Sequence, residues 1–585
     1  MKFLLAAVNA KFIHSNPAIY SLRACAGERL QKHIELAEYT INMSLQEILA
    51  DLYMRHPDAV GFSCYIWNRT MIENLLRELP KLLPDCALWL GGPEVSYDAE
   101  EILRVFPQVS GVMIGEGEVT FREVLEYYVE GGKRLQEIPG LYLPTGYTPM
   151  RTLTNLSDIP FLYQDLKPFE NRIIYYETSR GCPFRCSYCL SSLDKAVRLR
   201  DIEIVKRELS FFLDAKVKQV KFVDRTFNCN HEHAMAVWQY LKEHDNGVTN
   251  FHFEISADIL REDEIALLHS LRPGLVQLEI GVQTTNPETL RAIHRVSDVT
   301  RLEKIVAAVH AGHNIHQHLD LIAGLPYEDY DSFACSFDRV YAMRPQQLQL
   351  GFLKVLKGSE MESRAKEYGL QAMSCPPYEV LCTKWLPYED VLKLKKTEEM
   401  VELYYNSGQF VHTLSVLVQA FAGAFAMFEA LAQFFEENGY FTNHPARGYR
   451  YEILLAFAKK YDADRAALYR ELLTYDLYLR ENVKSRPEYA ADRTTFQKAV
   501  REFYAQEEKE RRYLPAYKQY DRKQLAGMTH LEAFRYPVWE SGELSRDCRA
   551  GDKPFFVLFD YQTRNPLNYE ASVQVVKLPE TGEER

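Results

Sequence analysis

Two stretches of the chain alternate short apolar runs with helical patterns. Over residues 1–145, the runs "KFLLAAV", "IELAEYTIN", "AVGFSCY", "CALWLGG" and "GVMIGEG" are separated by amphipathic stretches such as "SLQEILADLYMRH". Apolar strands that are each followed by a helix form parallel sheets covered on both faces. This stretch therefore predicts an α/β domain with a doubly wound sheet, whose ligands bind outside the carboxyl ends of the strands.

The second stretch, residues 171–362, contains six strand–helix units, from "RIIYYETS" to "QLQLGFLKVL". Six consecutive units predict a partial (β/α)6 barrel with its site at the carboxyl ends of the strands. Residues 146–170 are rich in Pro and Thr and are predicted to be a linker. Residues 363–585 predict a mainly helical domain, in which the apolar stretch from Leu414 to Phe435 forms one buried helix and not a membrane span.

Composition narrows the class of protein. The 585 residues carry a formal charge of −12, without the basic excess that tracking a phosphate backbone requires, so nucleic acid is disfavoured as a partner. The amino-terminal segment lacks the layout of a signal peptide. The eleven cysteines are scattered apart from one cluster, which argues against a disulfide framework. We expect a cytoplasmic protein with reduced thiols and no transmembrane segment.

The one cluster of cysteines lies in "RGCPFRCSYC", which places Cys182, Cys186 and Cys189 directly after the first strand of the second stretch. A structural zinc site closes with four ligands, whereas three thiolates on a four-iron cube leave one iron open to an outside ligand. An iron–sulfur cluster with one reserved iron is the leading interpretation. A zinc site completed by a distant ligand such as Cys229, and three unrelated buried cysteines, are the alternatives.

The Cys-x3-Cys-x-aromatic-Cys spacing, with Tyr188 as the aromatic residue, resembles the motif of the radical S-adenosylmethionine (radical SAM) superfamily over residues 171–360. The resemblance implies that Cys182, Cys186 and Cys189 hold a 4Fe-4S cluster whose open iron binds S-adenosyl-L-methionine and cleaves it to a 5′-deoxyadenosyl radical. In the family a second acid is more common where Arg225 stands. The residues implied to contact S-adenosylmethionine are Asp224, Thr226, Glu254, Ser256, Glu279, Gln283, Gly324 and Pro326.

The first domain resembles the cobalamin-binding, Rossmann- or flavodoxin-like domain of the cobalamin-dependent radical SAM enzymes, through "NAKFIHSN", "SCYIWN", "GGPEV" and "GEGE" at its strand ends. The Asp-x-His-x-x-Gly pattern of histidine-ligated cobalamin is absent, so we expect a cobalt without a lower protein ligand, with His14 as the alternative. Residues 363–585 are similar to an uncharacterised domain attached to some of these enzymes and are predicted to complete the substrate site. The implied cobalamin contacts are Asn9, Ser63, Tyr65, Trp67, Asn68, Gly91, Gly92, Pro93, Glu94, Gly115, Glu116, Gly117 and Glu118.

These resemblances predict an enzyme that methylates an unactivated carbon through methylcobalamin. Rearrangement, cyclisation or oxidation with the same cofactors is the alternative. A methylthiotransferase is disfavoured because "NAKFIHSN" contains no cysteine for a second cluster, and a non-catalytic sensor is disfavoured by the strand-end carboxylates. The expected partners are a small-molecule or peptide substrate, whose identity the sequence leaves open, and an electron donor such as flavodoxin or ferredoxin. No catalytic side chain is assigned.

Overall fold

The computed structural model describes residues 1–194, 196–492 and 494–578. These residues form two compact units. The first comprises residues 1–317, 322–329 and 351–388, and the second comprises residues 318–321, 330–350 and 389–585.

The amino-terminal domain is built on one sheet. Its strands are β1 (Phe3–Asn9), β2 (Ile34–Thr40), β3 (Ala59–Ser63), β4 (Ala87–Gly91), β5 (Val109–Met113), β6 (Leu141–Leu143) and β7 (Gly146–Tyr147). Its helices are α1 (Pro17–Cys25), α2 (Gly27–Gln31), α3 (Leu45–Met54), α4 (Arg69–Leu82), α5 (Pro93–Ser96), α6 (Ala99–Val105) and α7 (Gly117–Glu130). The strand order is β2-β1-β3-β4-β5-β6-β7, and the first five strands are parallel.

This sheet is the doubly wound sheet that the sequence predicts. The structure adds an antiparallel edge, formed by β6 and β7. The order 2-1-3-4-5 is the flavodoxin-like one, and it places the switch in strand order between β1 and β3. All seven residues of β1 are buried, as expected for a central strand covered on both faces. The hairpin β6–β7 extends the sheet to Tyr147, two residues into the predicted linker. Gly146, with φ at +110°, supplies the left-handed residue that its tight turn requires.

Strands and helices alternate again from residue 174. The strands are β8 (Ile174–Tyr176), β9 (Ser179–Arg180), β10 (Arg198–Leu199), β11 (Gln219–Phe222), β12 (Asn250–Ile255), β13 (Val276–Gln283), β14 (His316–Ala323) and β15 (Gln347–Phe352). The helices are α8 (Ile202–Asp214), α9 (His231–Glu243), α10 (Glu262–His269), α11 (Pro287–Ala292), α12 (Val299–His310) and α13 (Tyr330–Ala342). Strands β8, β11, β12 and β13 pair in parallel in that order, as predicted for the barrel.

One face of this second sheet is charged. Lys221 on β11 is in register with His252 on β12, and Glu254 on β12 is in register with Glu279 on β13. Because side chains alternate along a strand, His252 and Glu254 share a face. The neighbouring residues Phe251 and Phe253 point the other way and are fully buried. The sheet therefore packs on one side and presents ionisable groups on the other.

The rest of the chain is mainly helical, as predicted. Residues 360–382 contain α14 (Glu360–Ser363), β16 (Gln371–Ala372) and β17 (Val380–Cys382). The helices that follow are α15 (Tyr388–Met400), α16 (Val411–Leu417), α17 (Ala424–Glu437), α18 (Tyr440–Asn443), α19 (Tyr449–Tyr461), α20 (Ala466–Arg480), α21 (Gln497–Glu510) and α22 (Arg522–Met528). An antiparallel sheet of β18 (Thr529–Phe534), β19 (Phe555–Arg564) and β20 (Ala571–Val576) ends the described chain.

The prediction of one helix from Leu414 to Phe435 is wrong, because α16 and α17 are separate helices bent by 99°. The second begins after Gly423, whose backbone is extended, and the Asp338 carboxylate accepts a hydrogen bond of 2.7 Å from the Phe425 N–H. That bond satisfies a donor of the first turn. Across the described residues no single helix is long and apolar enough to cross a membrane; the bent pair passes that test only when its two helices are counted together.

Candidate functional site

The cysteine loop, residues 181–194, is held by backbone contacts at its ends and in its middle. Gly181 has φ at +90°, and a Cβ there would lie 2.4 Å from the Ala196 carbonyl oxygen. The Cys182 N–H donates to the Asp194 carbonyl at 3.2 Å, and the Ser187 N–H donates to the Ile293 carbonyl at 3.0 Å. The loop therefore has a defined shape, with glycine required where it starts.

The thiols of this loop suit an iron–sulfur cluster better than a single ion. All three are free, and within the part of the chain that the structure describes their Sγ atoms do not gather within 4.8 Å of one another. Zinc–sulfur bonds of about 2.3 Å would bring tetrahedral ligands closer together than that. The partly buried Arg295 guanidinium donates to Cys186 Sγ at 3.8 Å. A positive donor beside a cysteine sulfur would tune the reduction potential of a cluster bound there.

Two predicted S-adenosylmethionine residues lie at the end of β11, beside the cysteine loop. The Asp224 carboxylate is fully buried and accepts hydrogen bonds from the N–H groups of Thr178 and Ser179. Burial raises the pKa of Asp224 to about 7. The Thr226 hydroxyl lies 3.5 Å from Cys182 Sγ. Asp224 thus supports the strand end that leads into the loop, and Thr226 contacts the first cysteine.

Two other predicted residues lie on the charged sheet face. Glu279 accepts from Lys221 Nζ at 3.0 Å and lies 2.8 Å from His252 Nε2. Its side chain is partly buried, yet hydrogen bonding from His252 and the charge of Lys221 outweigh the effect of burial and lower the pKa of Glu279 to about 2. Glu254 lies 4.0 Å from the same ammonium group. Both carboxylates lie in apolar strands, where an ionised group is costly unless it is paired, and the ammonium group supplies that pairing.

The remaining predicted S-adenosylmethionine residues are spread over three strand ends. Ser256 donates from its hydroxyl to Asp258 at 2.6 Å. Gln283 has φ at +72°, and its Oε1 is buried without a hydrogen-bond partner among the described residues. Gly324 and Pro326 are buried, and a Cβ on Gly324 would lie 2.7 Å from Val380. None of the eight predicted residues lines either of the two cavities described next.

A cavity of about 470 Å³ opens at the carboxyl ends of the amino-terminal sheet. We call it the glycine cavity. Apolar side chains from the strands and from α1 and α7 form its deep part, among them Ile19, Leu22, Trp89 and Phe121. Nine predicted cobalamin contacts line it: Ser63, Tyr65, Gly91, Gly92, Pro93, Gly115, Glu116, Gly117 and Glu118. A cavity of this size, with apolar walls and a few polar groups, has the character of a small-ligand site, large enough for one part of a bulky cofactor.

A second cavity, of about 740 Å³, lies between the amino-terminal sheet, residues 156–163 and the first barrel strand. We call it the linker cavity. Asn9, Tyr65, Trp67, Glu116 and Glu118 of the predicted cobalamin set line it. His14 also lines it, and its Nδ1 lies 2.6 Å from the Tyr175 hydroxyl. That contact occupies one ring nitrogen of His14.

Two of the predicted cobalamin residues line neither cavity. Asn68 is fully buried; its amide donates to the carbonyls of Val8 and Ser63, and its Oδ1 accepts from the Tyr65 N–H. Glu94 accepts a hydrogen bond from the Tyr378 hydroxyl, and burial raises the pKa of Glu94. Both side chains support the loops that form the glycine cavity.

Arginines in contact with the predicted carboxylates were missed by the sequence interpretation. Arg180, two residues before Cys182, contacts Glu116, Glu118 and Glu177, and Arg198 contacts Glu116 at 2.7 Å. Arg295 was missed as well. The need for Arg180 and Arg198 could have been inferred from the sequence, because the carboxylates of "GEGE" at a buried strand end require counter-charges. The sequence does not say which arginines supply them.

Three family models match the chain: the B12 binding domain over residues 4–125, the Radical SAM superfamily over residues 176–339, and a protein of unknown function (DUF4080) over residues 366–559. The chain carries a B12-binding domain and a radical SAM domain. Both resemblances drawn from the sequence are thereby confirmed, as is the attachment of an uncharacterised domain after the barrel.

The curated relatives include methyltransferases. An uncharacterized methyltransferase of Pyrococcus horikoshii is 28% identical over 41% of this chain and 54% of its own length. The cobalamin-dependent radical SAM methyltransferase TokK of Streptomyces tokunonensis is 24% identical over 54% of this chain and 50% of its own length. The chain thus spans about half the length of these relatives.

A solved structure shares the fold. The cobalamin-dependent S-adenosylmethionine radical enzyme OxsB, with aqua-cobalamin bound, superimposes with a TM-score of 0.56 over 81% of this chain and 80% of its own, at 13% sequence identity. The predicted fold class is confirmed: an α/β chain with a doubly wound domain, a parallel β/α domain and a mainly helical remainder.

Proposed function

We propose that this protein is a cobalamin-dependent radical SAM methyltransferase that methylates an unactivated carbon. The observation that carries the proposal is the direct contact between the two candidate cofactor sites. Arg180 precedes the three free cysteines and binds the carboxylates at the mouth of the glycine cavity. A candidate cluster-binding loop next to the glycine cavity is the arrangement that a radical and a methyl donor acting on one carbon would require.

In this proposal Cys182, Cys186 and Cys189 hold a 4Fe-4S cluster, and the glycine cavity holds cobalamin. When bound, these groups and S-adenosylmethionine supply the deoxyadenosyl radical and the transferable methyl group. The protein's own residues orient them and exclude water. Thr226 contacts the first cysteine of the loop. The ion-paired residues Lys221 and Glu279 would offer polar groups to S-adenosylmethionine on the charged face of the barrel sheet.

Methyl transfer is proposed over rearrangement, cyclisation or oxidation because the curated relatives described above are named as methyltransferases. We further propose a small-molecule or peptide substrate, an electron donor such as flavodoxin or ferredoxin, and a cytoplasmic location. Residues 363–585 are proposed to complete the substrate site. No lower protein ligand to cobalt is proposed, because the Asp-x-His-x-x-Gly pattern is absent; the Tyr175 contact occupies only Nδ1 of His14.

The test is metal content and product formation after anaerobic purification and reconstitution with iron, sulfide and hydroxocobalamin. We expect about four irons and one cobalt per chain, because three thiolates and one open iron describe a four-iron cube. The Cys182→Ala, Cys186→Ala, Cys189→Ala triple variant should lose the iron and keep the cobalt. Cys375→Ala, at an exposed cysteine outside the loop, is the matched control and should keep both.

Product analysis separates the alternatives. With S-adenosylmethionine and reductant, the loaded protein should release 5′-deoxyadenosine and S-adenosylhomocysteine, the second of which is left when S-adenosylmethionine gives up a methyl group. Deoxyadenosine without S-adenosylhomocysteine would favour rearrangement, cyclisation or oxidation. Iron without cobalt would overturn the cobalamin assignment, and absence of iron would overturn the proposal as a whole.

A further inference from the structure

Arg180 makes an unusual set of ion pairs for one side chain. Its guanidinium contacts Glu177 at 2.9 Å and Glu116 at 3.4 Å, and it donates to Glu118. Only 19% of the side chain is exposed. Arg180 thus brings three carboxylates together, and the buried Glu118 would be desolvated without a counter-charge if Arg180 were removed.

The partners of Arg180 belong to two different functional loops. Glu116 and Glu118 flank Gly117, the first residue of α7, and line both the glycine cavity and the linker cavity. Glu177 follows β8 and lies on the segment that leads into Cys182. Arg180 itself lines both cavities. One side chain therefore forms part of the wall of each cavity and is separated from the first cysteine by a single glycine.

A second contact ties the same carboxylate to the far end of the cysteine loop. Arg198 binds Glu116 at 2.7 Å and Asp194 at 2.8 Å, and the Asp194 carbonyl accepts the hydrogen bond from the Cys182 N–H. Glu116 also accepts from the Thr154 N–H at 2.7 Å. The Glu116 carboxylate is thus linked to both ends of the cysteine loop, and the Glu118 carboxylate to its start.

We propose that Arg180 is a positioning residue that couples occupancy of the glycine cavity to the geometry of the cysteine loop. The inference rests on the proposed function. A ligand that fixes the Gly115–Glu118 turn orders the carboxylates around Arg180, and the ordered guanidinium fixes the strand end before Cys182. Coupling between two sites is reciprocal, so a loaded cysteine loop strengthens binding in the cavity by the same factor.

The test measures that factor directly. The dissociation constant of hydroxocobalamin is determined by absorbance for the iron-free protein and for the cluster-loaded protein, in wild type, R180Q, R180K, E118Q and R151Q. Wild type should bind cobalamin about fivefold or more tightly once the cluster is loaded, a factor typical of coupled sites. In R180Q the ratio should fall to near one, and in R180K it should be intermediate, because lysine keeps the charge without the forked donors.

The variants distinguish coupling from folding. R151Q removes a different ion pair to α7, between Arg151 and Glu123, and should leave the ratio unchanged. E118Q weakens the network from the cavity side and keeps Arg180, so it tests the proposal even if R180Q fails to fold. As a second readout, cobalamin should alter the electron paramagnetic resonance spectrum of the reduced cluster in wild type and not in R180Q.

Each outcome bears on one hypothesis. Equal ratios in wild type, R180Q and E118Q, or a ratio of one in wild type that binds both metals, would overturn the coupling and leave the proposed function standing. A wild-type protein that binds no iron or no cobalt would instead defeat the proposed function.

Discussion

The two parallel sheets of the first unit prepare their ligand sites by different means. The amino-terminal sheet ends in glycines beside an apolar slot, with Gly92 and Gly115 at strand ends and Leu22 on the neighbouring helix. The barrel sheet carries charged side chains on one face, where Glu279 binds Lys221 and His252. Backbone proximity and shape dominate the strand ends of the first site, where the charges of Glu116, Glu118 and Arg180 lie at one wall. Charge dominates the second.

This difference teaches which changes each site tolerates. In a close-packed slot, added volume has to displace backbone or ligand. On a charged face, loss of one partner leaves the others desolvated and unpaired. Substitutions that alter volume should therefore affect the amino-terminal sheet most, and isosteric substitutions that alter charge should affect the barrel sheet most.

The largest effect is expected at Gly92. Its φ is +114°, and a Cβ would lie 2.4 Å from the Cys64 carbonyl oxygen. Gly92→Ala should lower the free energy of unfolding by about 4 kcal/mol through backbone strain and overpacking. Gly115→Ala is the matched control, since its φ is +76° with no atom within 4 Å of the Cβ, and should cost about 1 kcal/mol. Urea unfolding of the two variants checks this; equal losses would contradict the role of shape.

The charged face is tested by Glu279→Gln, which keeps the volume and removes the charge. Lys221 and His252 contact this carboxylate, and Glu254 is in register with it on the neighbouring strand. We expect a loss of about 3 kcal/mol near pH 6, because the pKa of Glu279 lies near 2 instead of 4.5. A carboxyl group whose pKa is lower in the folded than in the unfolded state stabilises the folded state at pH values above its unfolded pKa. That stabilisation is lost as the pH falls through the folded pKa.

The gap between wild type and E279Q should therefore hold between about pH 6 and pH 5 and shrink as the pH falls toward 3. The urea midpoint, followed by fluorescence of tryptophans including the buried Trp238, gives this gap at each pH. A gap that does not change between pH 6 and pH 3.5 would show that the charge of Glu279 is not what stabilises the sheet.

The sequence was sufficient for features that follow from local pattern. Alternating apolar runs predict the two sheets, and the spacing of Cys182, Cys186 and Cys189 predicts the loop chemistry. Features that depend on long-range pairing were not predictable in detail. Two of the three carboxylate partners of Arg180, Glu116 and Glu118, lie more than sixty positions away. The helix break at Gly423 depends on Asp338. Sequence periodicity carries no information on which distant side chain satisfies a buried charge or a helix end.

Asn68 and Trp67 are neighbours whose different surroundings the sequence does not reveal. Substituting them is expected to change the free energy of unfolding less than Gly92→Ala or Glu279→Gln does. Both are predicted cobalamin contacts, yet Asn68 is fully buried in three hydrogen bonds, whereas Trp67 is 43% exposed and stacks on Tyr65 at 4.4 Å between ring centres. Asn68→Ala should lower the stability of the cobalamin-free protein by about 2 kcal/mol, because it leaves buried backbone groups unpaired. Trp67→Ala should cost about 1 kcal/mol or less and weaken cobalamin binding instead. Thermal unfolding without cobalamin and titration with it separate the two roles; if N68A were as stable as wild type and only its cobalamin affinity fell, Asn68 would be a ligand contact, and the shape of this loop would depend on the cofactor itself.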